Sequence, residues 1–202
     1  MKVEGEYIMV EELQNLEIKL SKELPTKRFI HTQGVRYIAA SLAMRYDVDI
    51  VKAQMAALLH DCAKCFSDTE LLNMCRERKI SISEIEEKAP HLLHAKLGSI
   101  LACEKYHVCG QDVLDAIQYH TTGRPDMTDL EKIIFIADYI EPNRKMIRGI
   151  EQCRKNAFVD LDKTMYFILE NTLEYLDKEI SENKIDEMTT KAYAFYKQKV
   201  KK

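Results

Sequence analysis

The chain has 202 residues, 46% of them hydrophobic, with only six glycines, four prolines and no tryptophan. That apolar fraction is too high for a disordered chain and large enough to build a buried core. The net charge of −3 offers no basic footprint for duplex nucleic acid, and no stretch approaches the ~18 apolar residues of a membrane span, so neither nucleic acid nor membrane is expected as a partner.

Scarce Gly and Pro beside abundant Leu, Ile, Ala, Glu and Lys predict helices throughout. The first runs over Val10–Leu24, with Leu13, Leu16 and Leu20 on one side and Pro25 closing it. A second covers Lys27–Tyr46, with Val35, Ile38, Ala39 and Leu42 inward. Asp47 or Asp49 caps a third that reaches Lys64, whose Ala53, Ala56 and Ala57 let neighbouring backbones come close. Ser67-Asp68-Thr69-Glu70 reads as a capping box opening a short fourth helix. Ser81–Glu87 is a turn or short helix before Pro90.

Helices over His91–Tyr106, Gln111–His120 and Thr128–Ile140 follow, with Gly110 and Gly123 as C-terminal stops and Pro142 ending the last. Two more cover Asp160–Ile180 and Glu187–Lys199, joined by the polar connector Ser181–Asp186. The expected architecture is all-α: a compact helical bundle in one domain over residues 1–202. Its core is 27–145, preceded by the N-terminal helix and followed by a helical extension over 150–202.

The six cysteines, Cys62, Cys65, Cys75, Cys103, Cys109 and Cys153, show no disulfide framework. Met1–Val10 carries acidic residues and no long apolar run, so no signal peptide is expected and a reducing cytoplasm is the natural setting. Cys62-x-x-Cys65 lacks the second pair of a zinc ribbon and the βαβ context of a redox motif, and reads as buried thiols. Tyr166, Phe167, Tyr175, Tyr193, Phe195 and Tyr196 read as packing aromatics rather than a base-stacking platform.

Six residues of metal-ligand type stand out: His31, His60, Asp61, His94, His120 and Asp138. Five of them continue the apolar stripe of their own helix. His31 precedes Val35 by a turn, His60 follows Ala53, Ala56 and Ala57, His94 heads Leu97 and Leu101, His120 follows Val113 and Ile117, and Asp138 follows Leu130 and Ile134. Burying a carboxylate is costly unless it is paired or metal-bound. Any one of these residues alone is equally a hydrogen-bonded core histidine or a salt-bridged aspartate. Five such residues on five helices are best served by one remedy, a divalent cation with imidazole and carboxylate ligands. Asp61 is about 100° round the helix from His60, so the pair can share an ion only near a helix end or from the edge of a face. Lys64, three residues on, suits either a phosphate oxygen or an ion pair with Asp61. His91 competes with His94 for its role, three residues away.

His31, His60-Asp61 and Asp138 resemble the H…HD…D signature of the HD-domain superfamily. Leu59–Lys64, His94–Gly98, Ile117–Pro125 and Ala137–Arg144 are similar to segments of its YqeK-type subgroup, the symmetrical bis(5'-nucleosyl)-tetraphosphatases, over roughly Arg28–Asp186. The resemblance implies the HD-type helical fold and a metal-dependent hydrolase that splits diadenosine tetraphosphate into two ADP by attack of a metal-activated water on a bridging phosphate. It implies metal ligation by His31, His60, Asp61 and Asp138, with Asp61 and Lys64 taking catalytic parts. Iron is the implied ion, with manganese, cobalt or zinc as alternatives, and His94 and His120 contact phosphate or a second ion. Substrate contacts are implied at His31, Asp61, Cys62, Ala63, Lys64, His94, His120, Thr121, Asp138 and Arg144. The connector, Ser181, Glu182, Asn183, Lys184, Ile185 and Asp186, resembles a segment that closes over the nucleotide. Arg144, just beyond Pro142, can reach a phosphate or complement the preceding helix dipole. A nucleotide is the expected small-molecule partner, and a homodimer is left open. The competing functions are a nucleotidase or phosphodiesterase for another ester, and a nucleotide-sensing module without turnover.

Overall fold

The computed structural model describes residues 2–179 and 185–201, and among these every regular element is helical. In chain order they are α1 (Lys2–Glu23), α2 (Thr26–Arg45), α3 (Ile50–Leu59), α4 (Asp68–Glu77), α5 (Glu84–Lys88), α6 (Leu93–Glu104), α7 (Gln111–Gln118), α8 (Asp129–Ile140), α9 (Ile150–Ala157), α10 (Leu161–Glu179) and α11 (Glu187–Val200), with one 3₁₀ turn at Pro90–Leu92. No described helix is long and apolar enough to cross a membrane.

Helix α8 is the central post. Nine of its twelve residues are buried, so it carries no solvent face, and α2, α3, α7, α9 and α10 pack round it. Burial of each of Ile133, Ile134 and Ile136 contributes ~1.5–3 kcal/mol. Lys132 is also buried there, its ammonium held by Asp129 (2.6 Å) and Asp162 (3.0 Å). Helix α3 lies close against α2 because Ala53, Ala56 and Ala57 leave no side-chain bulk between them.

The starts follow the expected chemistry. Asp49, Ser67 and Thr128 cap α3, α4 and α8, the last two as full capping boxes, and Ser83 does the same for α5. Pro142 stops α8 as anticipated, one residue after the cap Glu141.

Four expectations are corrected. Helix α3 ends at Leu59 rather than Lys64, and the chain goes on through turns closed by Cys62 N–H to Leu59 O (3.1 Å) and Lys64 N–H to Asp61 O (2.9 Å). Gly110 is not a C-terminal stop: at φ −65° it precedes α7, and the reversal after α6 is made by His107 at φ 60°. That reversal brings Cys109 within 4.7 Å (Cα–Cα) of Cys103, and the two form a disulfide that spacing alone did not reveal. Cys65 is exposed, since it lies in the turns beyond α3, whereas Cys62 is buried as expected. Helix α9 was not anticipated, because a polar octet with only Ile150, Cys153 and Ala157 buried gives a weak stripe.

Candidate metal centre

The early end of α3 resolves the problem posed by His60-Asp61. Both residues lie just past the last residue of α3, at the helix end where such a pair can share an ion, and both are buried. Around them converge His31 from α2, His94 from α6, His120 just beyond α7 and Asp138 from α8.

Two overlapping groups result. In the first, His31 Nε2 lies 3.0 Å from Asp138 Oδ1 and 3.7 Å from Asp61 Oδ2, while His60 Nε2 lies 3.4 Å from Asp61 Oδ2 and 3.8 Å from Asp138 Oδ1. In the second, His94 Nε2 and His120 Nε2 stand 3.3 and 3.7 Å from Asp61 Oδ1. His31, His60 and Asp61, and separately Asp61, His94 and His120, offer ligand atoms that all lie within 4.8 Å of one another. Asp61 belongs to both, one oxygen to each.

Ring orientation is fixed from behind. Nδ1 of His60, His94 and His120 bonds the carbonyl three residues earlier, at Ala57 (2.6 Å), His91 (2.6 Å) and Ile117 (2.7 Å). A carbonyl only accepts, so each Nδ1 carries a proton and Nε2 is the atom turned inward. His31 Nδ1 instead meets the Glu141 carboxylate at 3.1 Å. Glu141 is buried, and the room for it comes from Gly34: a Cβ there would lie 2.4 Å from Glu141 Oε2.

This geometry leaves a place for a cation or added protons. His31 Nε2 and His60 Nε2 are buried without a hydrogen-bond partner. His94 Nε2 and His120 Nε2 face each other at 3.1 Å, with Thr121 Oγ1 3.3 and 3.1 Å from them. Three carboxylates, Asp61, Asp138 and Glu141, meet two guanidiniums: Arg28 on Asp61 Oδ2 and Arg144 on Asp138 Oδ1, each at 2.7 Å. Burial works to raise the pKa of Asp61 and Asp138, but the surrounding imidazoles, with Arg144 at Asp138, hold both well below the usual carboxylate range. Burial pushes His94 down to about 4, only partly offset by Asp61, with His120 adding to the depression. In His31 burial also lowers the pKa, but Asp138 and Glu141 outweigh it and the net shift is upward. Orphaned inward nitrogens beside ionised carboxylates fit a divalent cation of the kind that accepts mixed imidazole and carboxylate ligands.

The second wall of the site is tied to α8. Arg124 donates from Nε and Nη2 to Glu131 (2.6 and 2.9 Å), which is fully buried and also accepts from Thr128. With Gly123 at φ 66°, this clamps the turn that carries His120 and Thr121.

The remaining expected residues are placed as follows. Lys64 is half-buried beside the centre, and burial lowers its pKa against the pull of Asp61. No ion pair joins it to Asp61, whose guanidinium partner is Arg28. Arg144 also donates from Nε to Asp138 O (2.8 Å), so it caps the end of α8 while reaching the carboxylate. Cys62 and Ala63 turn their side chains into the core, the thiol towards Gly98 O, so only their backbone borders the site. His91 is exposed and supplies only its carbonyl, which leaves the inward role to His94. Asp186 caps α11, Ile185 lies just before it, and Ser181–Lys184 lie outside the described residues. Sequence reasoning missed Arg28 and Glu141. The signal existed: Arg28 is three residues before His31 and Glu141 three after Asp138, each one turn away on the same side.

A family model described as the HD domain matches residues 28–143, which take in every one of these converging groups. The chain belongs to the HD domain family. Within it, the chain is 40% identical to the symmetrical bis(5'-nucleosyl)-tetraphosphatase of Bacillus subtilis, over 79% of this chain and 84% of that protein. It is 44% identical to the protein of the same name from Halalkalibacterium halodurans, over 77% of this chain and 82% of the relative. The crystal structure of an HD superfamily hydrolase from Clostridium acetobutylicum, described as involved in NAD metabolism, superposes with a TM-score of 0.87 at 35% identity, covering 92% of this chain and 97% of that one. The HD dyad of the family name is His60-Asp61.

Proposed function

We propose that this chain is a metal-dependent hydrolase that cleaves diadenosine tetraphosphate symmetrically into two ADP. The observation that carries the reading is the pair of overlapping imidazole and carboxylate groups that share Asp61. Its likeness to the tetraphosphatases of Bacillus and Halalkalibacterium over more than three quarters of the chain supplies the substrate.

In this reading His31, His60, Asp61 and Asp138 hold one ion, and His94 and His120 share Asp61 with a second. Iron is the proposed metal, since a nitrogen-rich, half-carboxylate set suits a first-row transition ion better than magnesium or calcium. A bound cation there supplies a Lewis acid that lowers the pKa of water and offsets phosphate charge. The protein's own groups do the rest. Arg28 and Arg144, on the rim with side chains 37% and 39% exposed, meet the incoming polyphosphate with planar donor forks. Lys64 and Thr121 add an ammonium and a hydroxyl within the site, where charge shifts towards the departing phosphate in the transition state. Burial lowers the pKa of Lys64 against the pull of Asp61, and its ammonium is proposed to hold phosphate oxygens. The amides of Cys62 and Ala63 border the same space, and Ile185 and Asp186 belong to the segment proposed to cover the nucleotide. Residues 1–202 are proposed to act as one domain.

The test is Asp61→Ala. The variant should remain helical by circular dichroism, lose bound metal and lose ADP formation. Retained metal with full activity ends the proposal.

A further inference from the structure

A substrate cut at its middle leaves two identical halves, and each ends in a base. A site that fixes the scissile bond at the centre is therefore served by two base pockets, one on each side. The protein has a cavity of about 420 Å³ on the His94–His120 side, bordered by Thr121, His91, Thr172, Leu176 and Asp186. This is the side of the connector already proposed to cover a nucleotide.

A different cavity, of about 390 Å³, opens on the Asp138 side. Tyr139, the residue after Asp138, forms one wall, with Ile147, Asn171, Thr172 and Tyr175 around it and the ion-paired Arg148 and Glu174 at its edge. Thr172 borders both cavities, so α10 divides them. The volume falls in the ~300–1,000 Å³ range of small-molecule sites, and the lining is mainly apolar. It leaves large apolar side chains open to solvent: Tyr175, expected to pack, is 62% exposed and Ile147 43%. Asn171 is the fixed polar group. A Cβ on Gly149 would stand 2.6 Å from its Nδ2, so the Gly149 backbone lies close against the amide. Rings that can stack on a base, joined to one oriented amide that can read its edge, are the chemistry of nucleobase recognition.

We propose that the cavity of Tyr139, Asn171 and Tyr175 holds the second nucleobase of the substrate, that of the half lying on the Asp138 side. Tyr175 stacks on the base and Asn171 pairs with its edge. The proposal rests on the dinucleoside reading above.

Tyr175→Ala and Tyr175→Phe are compared with the parent chain, metal-loaded, on two substrates: diadenosine tetraphosphate and adenosine 5'-tetraphosphate, which has the same phosphates but one base. For Tyr175→Ala, kcat/KM on the two-base substrate should fall about tenfold, the loss of one stacked base. The one-base substrate should be nearly unaffected, because its base can occupy the other pocket. Tyr175→Phe, which keeps the ring, should retain the parent's rates. An equal fall on both substrates, or no fall on diadenosine tetraphosphate, overturns the second pocket while leaving the hydrolase reading intact. A parent chain that releases no ADP from diadenosine tetraphosphate overturns the hydrolase reading, and this proposal with it.

Discussion

The two halves of the centre are built from the same residue types but balanced differently. On the Asp138 side, His31 is backed by the carboxylate of Glu141, and Asp61 and Asp138 each have a guanidinium. On the other side, His94 and His120 are backed only by neutral carbonyls and share a single oxygen of Asp61. A carboxylate behind an imidazole raises its basicity and its hold on a metal more than an amide carbonyl does. In the proposed reading the first half would hold an ion more firmly than the second.

The sharpest break in that contrast is Asp138→Asn. It removes a carboxylate from the first half, and metal content and hydrolysis should both fall by more than the ~10–100-fold typical of outer partners. Metal analysis beside an ADP assay checks it. Glu141→Gln comes next: the ring of His31 stays placed but loses its charged backing, for a loss of roughly 10–100-fold in metal affinity or rate with the fold unchanged. Gly34→Ala should copy that loss, because the new Cβ would take the space of Glu141 Oε2. His94→Ala touches the second half alone. It should lower metal content by one ion per chain and cost about tenfold in rate, and graded chelation of the parent should remove that same ion first. The smallest effect is a control outside both halves. Ser67→Ala deletes the cap of α4 and should cost about 1 kcal/mol in denaturant unfolding with kcat unchanged. Equal metal loss from Asp138→Asn and His94→Ala would erase the asymmetry.

Much of this was legible in the sequence because local rules and burial agreed. The capping box at Ser67, the stop at Pro142 and the apolar stripes of α2, α6, α7 and α8 follow from spacing alone. All the ligand-type residues except Asp61 stood out because each continued an apolar stripe, and a polar residue on such a face needs a partner. The end of α3 was misjudged because Asp61–Lys64 has no helix breaker. What stops the helix there is tertiary, with His60 and Asp61 drawn into the centre. The Cys103–Cys109 pairing depends on a reversal at His107, a left-handed residue with no Gly to announce it. Tyr175 was read as packing because its spacing on α10 is ordinary, and only the surrounding cavity distinguishes it.

The carbonyls behind the rings have a further consequence. Ala57 and Ile117 lie in the last turns of α3 and α7, where main-chain oxygens have run out of helical donors. His60 and His120 fill that deficit, so the side chains that end these helices are also the ones that point inward. Finishing the secondary structure thus aims the nitrogens before any ion arrives. Rotamer freedom is surrendered during folding rather than at the moment of loading, so an incoming metal meets ligands that have no ordering left to do.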